Sequence, residues 1–204
     1  EVNSVYILGH VAVPYSGNLA PDGHGDHNGA WSADGYYADI NGNWTDQSVH
    51  STGAQLQRNR NVPGDGKFDQ SDFPSPLELQ IGRVDMYDFE AFQSALGVTD
   101  VDLTRSYLQK AHAFKTKQFT PTFRGCVFDG FQDLDHALAA SGYRTIAAMV
   151  GPENLSNLPA NGDPFHTYVN GQSYLWTYSS GGGQWAAANN VGNVWDFAQR
   201  GVAP

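Results

Sequence analysis

The stretch "GDGKFDQSD", residues 64–72, sets Asp65, Asp69 and Asp72 within one short segment, four and three apart, among glycines. Like charges that close repel one another unless something positive lies between them. The spacing resembles a calcium loop of the D-x-x-x-D-x-x-D kind, in which Gly64 and Gly66 allow a tight backbone path. Calcium is the expected ion, because every candidate ligand is oxygen and no cysteine is near. A second candidate loop is "DINGNWTD", with Asp39, Asn41, Asn43 and Asp46 as ligands. The first loop departs from EF-hand spacing and lacks the bidentate glutamate at the twelfth position. The competing reading of both loops is an Asx-rich turn in water. Either way the expected role is structural, since a hard ion in an all-protein oxygen cage seldom activates a nucleophile.

A third polar cluster, "PDGHGDHNGAW", carries Asp22, His24, Asp26 and His27. Two imidazoles and two carboxylates form a donor set that suits zinc, with His10 or His50 as further ligands. H-x-x-H in a glycine-rich loop is far less specific than a helical H-E-x-x-H, which the chain lacks. The alternative is an ordinary network of loop hydrogen bonds. Calcium is therefore the first expectation for a bound ion and zinc the second.

The elements that must position these loops are short. Val5–Leu8, Leu79–Val84, Cys126–Phe128, Thr145–Val150 and Tyr174–Tyr178 are brief apolar runs bounded by glycine or polar residues, and each reads as a buried strand. From Thr99 or Asp100 as N-cap, Leu103, Tyr107, Leu108, Ala111 and Phe114 form a helical stripe. Lys110, Lys115 and Lys117 crowd its C-terminal end, where the helix dipole favours cations. A second helix is expected from Asp133 through Leu134, Leu138 and Ala139, stopping at Ser141-Gly142. Strands alternating with helices imply an α/β fold, a mostly parallel sheet with flanking helices. Residues 9–78 differ, being polar, Gly-rich and aromatic without helical period. A loop region that long inside a compact domain is expected to be organised by calcium.

Composition limits the partners. Apolar residues make up 40% and aromatics 13% of 204 residues, enough for a globular core. A formal net charge of -10 disfavours nucleic acid and anionic membranes and favours divalent cations. No apolar run reaches the roughly 18 residues of a membrane-spanning helix, so membrane insertion is not expected. The single cysteine, Cys126, excludes an internal disulfide. Scarce lysine and glutamate beside abundant Gly, Asn, Asp, Tyr and Trp point to a secreted or cell-surface protein. The chain opens almost directly on Val5–Leu8 without a signal peptide, as a mature fragment would. Trp31, Trp44, Trp176, Trp185 and Trp195, with Tyr36-Tyr37 in a polar loop, raise a glycan-binding surface against the ordinary reading of aromatics as core.

Taken in order, "VYILGHVAVP", "ADGYYADINGNWTD" and "LELQIGRVDMYDF" resemble the catalytic domain of the gingipain-type cysteine peptidases. The matching pieces are Val5–Pro14, Asp34–Trp44, Leu79–Arg83 and the helix from about Leu103 to Phe114. The likeness covers residues 5–117 and continues more loosely through Arg124–Gly151. It implies a caspase-haemoglobinase fold of two sub-sheets, secretion, calcium binding and peptide hydrolysis by a Cys–His dyad. Residues 1–120 would then hold the first sub-sheet with its long acidic and aromatic loops, and residues 121–204 the start of the second, in a single α/β domain or a fragment of one. Asp34 stands where arginine-specific members carry the aspartate for the substrate's basic side chain; a structural carboxylate or a calcium ligand are the alternatives.

The dyad is where the chain departs. The strand at Tyr174–Tyr178 is followed by Ser179-Ser180-Gly181-Gly182-Gly183, with no histidine, and Pro204 comes before the strand expected to bring the cysteine. Cys126 precedes the histidine-equivalent strand and reads as a small buried strand residue. His166 is a base with nothing to place it near Cys126, and neither Ser179 nor Ser180 lies in a G-x-S-x-G elbow. The catalytic residues are therefore not identifiable. The expectation is a degenerate peptidase-family domain serving as an extracellular structural or binding module. The alternative is an active cysteine endopeptidase whose dyad lies beyond this chain. Expected partners are a divalent cation, the remainder of its own precursor or identical chains completing an open sheet edge, and a peptide or glycan.

Overall fold

The computed structural model describes residues 2–130, 140–158, 168–169, 172–184, 187–188 and 192–199. The chain is mixed α/β, with small parallel sheets and a few helices, and it divides into two compact units, Glu1–Tyr87 and Asp88–Pro204.

The first unit contains β1 (Ser4–Leu8), β2 (Tyr15–Leu19), β3 (Gly29–Ser32) and β4 (Gln80–Val84). β1 and β4 pair in parallel, Ser4 opposite Gln80 through Leu8 opposite Val84. β2 and β3 pair antiparallel, with a register shift between Ser16 and Leu19. Few apolar side chains are buried here, among them Ile7, Ala30, Ala38 and Ala54, whereas Ser16, Asp39, Asn59 and Asn61 are buried too. Polar groups withdrawn from water must find partners inside. Asn61 does so in part: its side-chain nitrogen donates to the carbonyls of Gly17 at 3.2 Å and Phe68 at 2.8 Å and its backbone pairs with Ser51, while its Oδ1 is buried with no hydrogen-bond partner. The long polar region is thus stitched by side-chain to backbone hydrogen bonds. One aromatic knot joins it, with Tyr36 stacked on Phe68 at 4.7 Å and the Trp44 ring edge-on to both.

The second unit begins with α1 (Glu90–Leu96) and α2 (Asp100–Lys115). Thr99 is the N-cap of α2, and a reciprocal capping box with Asp102 satisfies both its side chain and its backbone. The central strand β5 (Gly125–Asp129) is buried at every position. It lies between β6 (Leu155–Leu158) and β7 (Trp176–Ser180), parallel to both. Alternation puts Cys126 and Phe128 on one face, with Leu158, Tyr168, Tyr174 and Phe197. Val127 faces the other way, against α3 (Ala140–Val150) through Ile146 and Val150. The two-residue strands β8 (Gly183–Gln184), β9 (Ala187–Ala188) and β10 (Gly192–Asn193) form an antiparallel sheet, followed by α4 (Val194–Gln199), which packs on α1.

Four of the expected strands lie where the apolar runs place them, the last displaced to Trp176–Ser180. Thr145–Val150 is a correction: it is the second half of α3, and the helix runs through Ser141-Gly142 instead of stopping there. A short apolar run carries no period that separates a buried strand from a buried helix. Here Tyr143, Ile146 and Val150 fall three and four apart on one face, against the sheet. Gly142 is kept inside the helix by close packing, since a Cβ would come within 2.6 Å of the Tyr178 ring. Residues 133–139 of the expected helix lie outside the described residues.

Candidate metal centre

The positive partner demanded by "GDGKFDQSD" is in the motif itself. Asp65 accepts the Lys67 ammonium at 2.8 Å and the amides of Lys67 at 3.0 Å and Val62 at 3.1 Å. Asp69 turns to a different segment. Its Oδ2 accepts the Thr45 hydroxyl at 2.7 Å and the Gln47 amide at 2.8 Å, and its Oδ1 accepts the amides of Ser48 at 3.0 Å and Val49 at 2.8 Å. Partial desolvation pushes the Asp69 carboxyl up, but the amides of Val49, Ser48 and Gln47 and the Thr45 hydroxyl outweigh it and hold the acid far below the usual carboxylate range. Asp72 goes elsewhere, to the wall of a pocket. The three carboxylates do not converge on one point, and the donors around Asp65 and Asp69 occupy the positions a cation would take. These residues form a clasp and do not fit a calcium cage.

In "DINGNWTD", Asp46 accepts the amides of Gly64 at 2.7 Å and Gly66 at 2.8 Å. Both glycines sit at positive φ, which aims both amides at one carboxylate. Asp39 and Asn41, by contrast, meet: the Ser75 hydroxyl is bonded to both. Glu78, which no spacing marks, joins them by accepting the Asn41 side-chain amide at 2.6 Å and the Ile40 amide at 2.8 Å. Asp39 is 5% exposed, and its Oδ2 is buried with no hydrogen-bond partner. An orphaned, buried carboxylate oxygen, in a residue joined through Ser75 to Asn41 and so to Glu78, fits a hard cation. Asn43 and Asp46 stand outside that group; the Asn43 carbonyl accepts from Gln70 at 3.3 Å.

Asp22, His24 and His27 bring one ligand atom each within 4.8 Å of one another, the one cluster of that kind among the described residues. The Nδ1 atoms of His27 and His24 stand 2.6 and 3.2 Å from Asp22 Oδ2. The His24 amide, followed by the His27 ring, holds the Asp22 carboxyl down at about 2. Asp26 is not a direct member; its carboxylate lies 3.9 Å from His27 Nε2. His10 is committed to Asp85 at 2.9 Å and stacks on Tyr87.

Asp34 is paired with Arg83 through both oxygens, at 2.7 Å from Nε and 2.8 Å from Nη2. The Arg83 guanidinium also donates to the carbonyls of Val11 at 2.6 Å and Ala12 at 3.1 Å, so it clamps the loop after β1. Asp34 first, by that hydrogen bond, pushes the Arg83 guanidinium further up. Cys126 is fully buried, and burial pushes its thiol up to about 11 against a smaller downward pull from Tyr174. Ser180 donates to Asp129 Oδ1 at 3.2 Å, a carboxylate and not an imidazole. His166 and Trp185 lie outside the described residues.

Trp31 and Trp44 face a pocket of about 240 Å³ that Phe73, Asp72 and Ser32 complete. Trp176 and Trp195 are exposed on the second unit. No family model matches the chain, and neither a curated protein nor a solved structure matches it.

Proposed function

We propose that this chain is a secreted, gingipain-like domain of caspase-haemoglobinase type, degenerate as a peptidase, that works outside the cell as a structural or binding module. The observation that carries this reading is the Arg83–Asp34 pair. By resemblance, Asp34 is the carboxylate that would receive a substrate's basic side chain; here an internal guanidinium already fills both its oxygens. Cys126 agrees with it. A nucleophilic thiol needs a base or a positive field to ionise at neutral pH, and this one is buried and pushed the other way.

The resemblance also implies calcium, and Asp39, Asn41 and Glu78 are the residues that would hold it. Bound there, the ion supplies charge neutralisation and ties the Asp39 loop to the segment entering β4. For binding, the pocket at Trp31, Trp44 and Phe73 offers aromatic faces beside the carboxylate of Asp72. Its size suits one small ring-shaped group, and a sugar presents both an apolar face for an indole and hydroxyls for the polar rim.

The test incubates the chain, with calcium, with Arg- and Lys-containing peptides and separately titrates it with oligosaccharides. No peptide cleavage and saccharide binding lost in Trp31→Ala are expected. Peptide cleavage that disappears in Cys126→Ala or Asp34→Asn overturns the reading.

A further inference from the structure

We propose that Asp22, His24 and His27 form a binding site for a divalent transition-metal ion of the zinc class. The inference stands apart from the functional reading above and needs no peptidase ancestry.

The sequence builds the site locally. Residues Gly25–His27 form one 3₁₀ turn, closed by the His27 amide bonding to the His24 carbonyl at 3.0 Å. His24 caps this turn in extended conformation and His27 closes it, which brings the two imidazoles side by side. Their rings stand edge to face with centroids 5.3 Å apart. Asp22 is brought beneath them by its own Oδ1, which accepts the His24 amide at 3.1 Å. Its Oδ2 stays directed at both imidazoles.

Geometry and charge then select the ion. Ligands held at 2.0–2.1 Å around tetrahedral zinc stand about 3.3 Å apart. The His24 Nδ1 to Asp22 Oδ2 distance of 3.2 Å already has that value. The His27 contact, 2.6 Å as a hydrogen bond, opens by roughly 0.7 Å when a metal replaces the proton. Two nitrogens and one oxygen favour zinc-class ions over calcium or magnesium, which prefer all-oxygen shells. Three protein donors leave the remaining positions to water or a small ligand.

The surroundings hold the ligands in place. The Trp31 indole donates to the His27 carbonyl at 2.6 Å, and its ring meets the His27 ring edge-on at 5.8 Å. With His27 Nδ1 on the metal, Nε2 faces the Asp26 carboxylate, an outer partner that fixes ring orientation and strengthens the ligand.

The test is calorimetric titration of the tag-free chain with zinc, paired with visible absorption after loading with cobalt. One zinc per chain and a cobalt d–d band are expected. Asp22→Asn, His24→Ala and His27→Ala should each weaken zinc at least about tenfold, the His24→Ala/His27→Ala pair should abolish the band, and Asp26→Asn should weaken binding by a smaller factor. Glu153→Gln, an exposed carboxylate outside the site, should leave zinc affinity unchanged. Far-UV circular dichroism of each variant checks that it folds. No zinc uptake, or uptake that the paired histidine variant leaves intact, overturns the proposal.

Discussion

Asp69 Oδ1 accepts the amide of Val49 at 2.8 Å, closing a loop of twenty residues with a carboxylate instead of a strand ladder. The Ser48 and Gln47 amides and the Thr45 hydroxyl complete the set, so one side chain satisfies four donors of a segment with no regular structure. Its acid form is disfavoured in the folded chain, so its stabilisation is full above the unfolded carboxylate value near 3.9 and fades as pH falls below it. We expect Asp69→Asn to lower Tm at pH 7 more than Asp65→Asn or Asp72→Asn, and to flatten the fall of Tm between pH 4 and pH 2. A variant whose acid limb overlays the parent's would show that the clasp does not anchor the loop.

Calcium is expected to act at the other acidic loop. Binding to the native state alone raises stability by about 2.7 kcal/mol at a free concentration one hundred times Kd. Excess calcium should therefore raise Tm by several degrees in the parent and in Asp69→Asn, and chelator should reverse it. Asp39→Asn and Glu78→Gln should lose the response. If Asp39→Asn keeps the full calcium shift, the ion sits elsewhere.

The Ile146 side chain tests the revised assignment of residues 145–150. It is 1% exposed, wedged between α3 and the Val127 face of β5. Ile146→Ala should cost about 3 kcal/mol, the range for a buried aliphatic cut back to Ala. Met149, on the same helix but 41% exposed, should cost well under 1 kcal/mol as Met149→Ala. A strand would also turn position 149 away from Ile146, so Arg144→Ala decides further: period two puts position 144 with Ile146, inside, whereas the helix leaves Arg144 exposed. Denaturant titration of the three variants measures the order.

What the sequence disclosed depended on the kind of signal. The Thr99 N-cap and the helix after it were readable because capping and period are local, although of the expected stripe Leu103 is buried while Leu108 and Phe114 are exposed. The β-branched and apolar runs at β1, β4 and β5 were readable because each ends in glycine or polar residues. Leu155–Leu158 was not, since Ser156 and Asn157 break the apolar run and only pairing with β5 makes it a strand. In the acidic region the residue types were legible and their partners were not. Lys67 stood between its carboxylates in plain view, yet Asp69 finds Thr45 and Val49, and Asn41 finds Glu78, across twenty residues or more that no spacing rule spans.

Cys126 predicts an alkaline limb. Burial raises its thiol to about 11, against an unfolded value near 8.5, so the folded chain keeps a proton that the unfolded chain gives up. Its contribution is complete below pH 8.5 and is lost as pH rises toward 11. Parent Tm should therefore fall across that window, and Cys126→Ala should fall less steeply. Native protein at pH 8 should react with iodoacetamide no faster than global opening allows; rapid labelling without unfolding would place the thiol at the surface.

The Arg83–Asp34 pair admits a test that separates structure from recognition. The side chains are 14% and 29% exposed, so removing one partner strands a partly desolvated charge. Asp34→Asn should cost about 2 kcal/mol, less than the 3–5 kcal/mol of a fully buried pair. Arg83→Met should cost at least as much, because the bonds to the Val11 and Ala12 carbonyls go with it. The double variant should recover about 1 kcal/mol relative to the sum, the coupling of groups in direct contact. Recognition is read with benzamidine, a small cation that mimics an arginine head. The parent should not bind it, because the internal guanidinium holds both Asp34 oxygens. Arg83→Met should bind it weakly, and Arg83→Met/Asp34→Asn should not. Benzamidine binding to the parent that Asp34→Asn abolishes would mean that Arg83 yields its partner to a competing cation, and the degenerate reading of this site would fail.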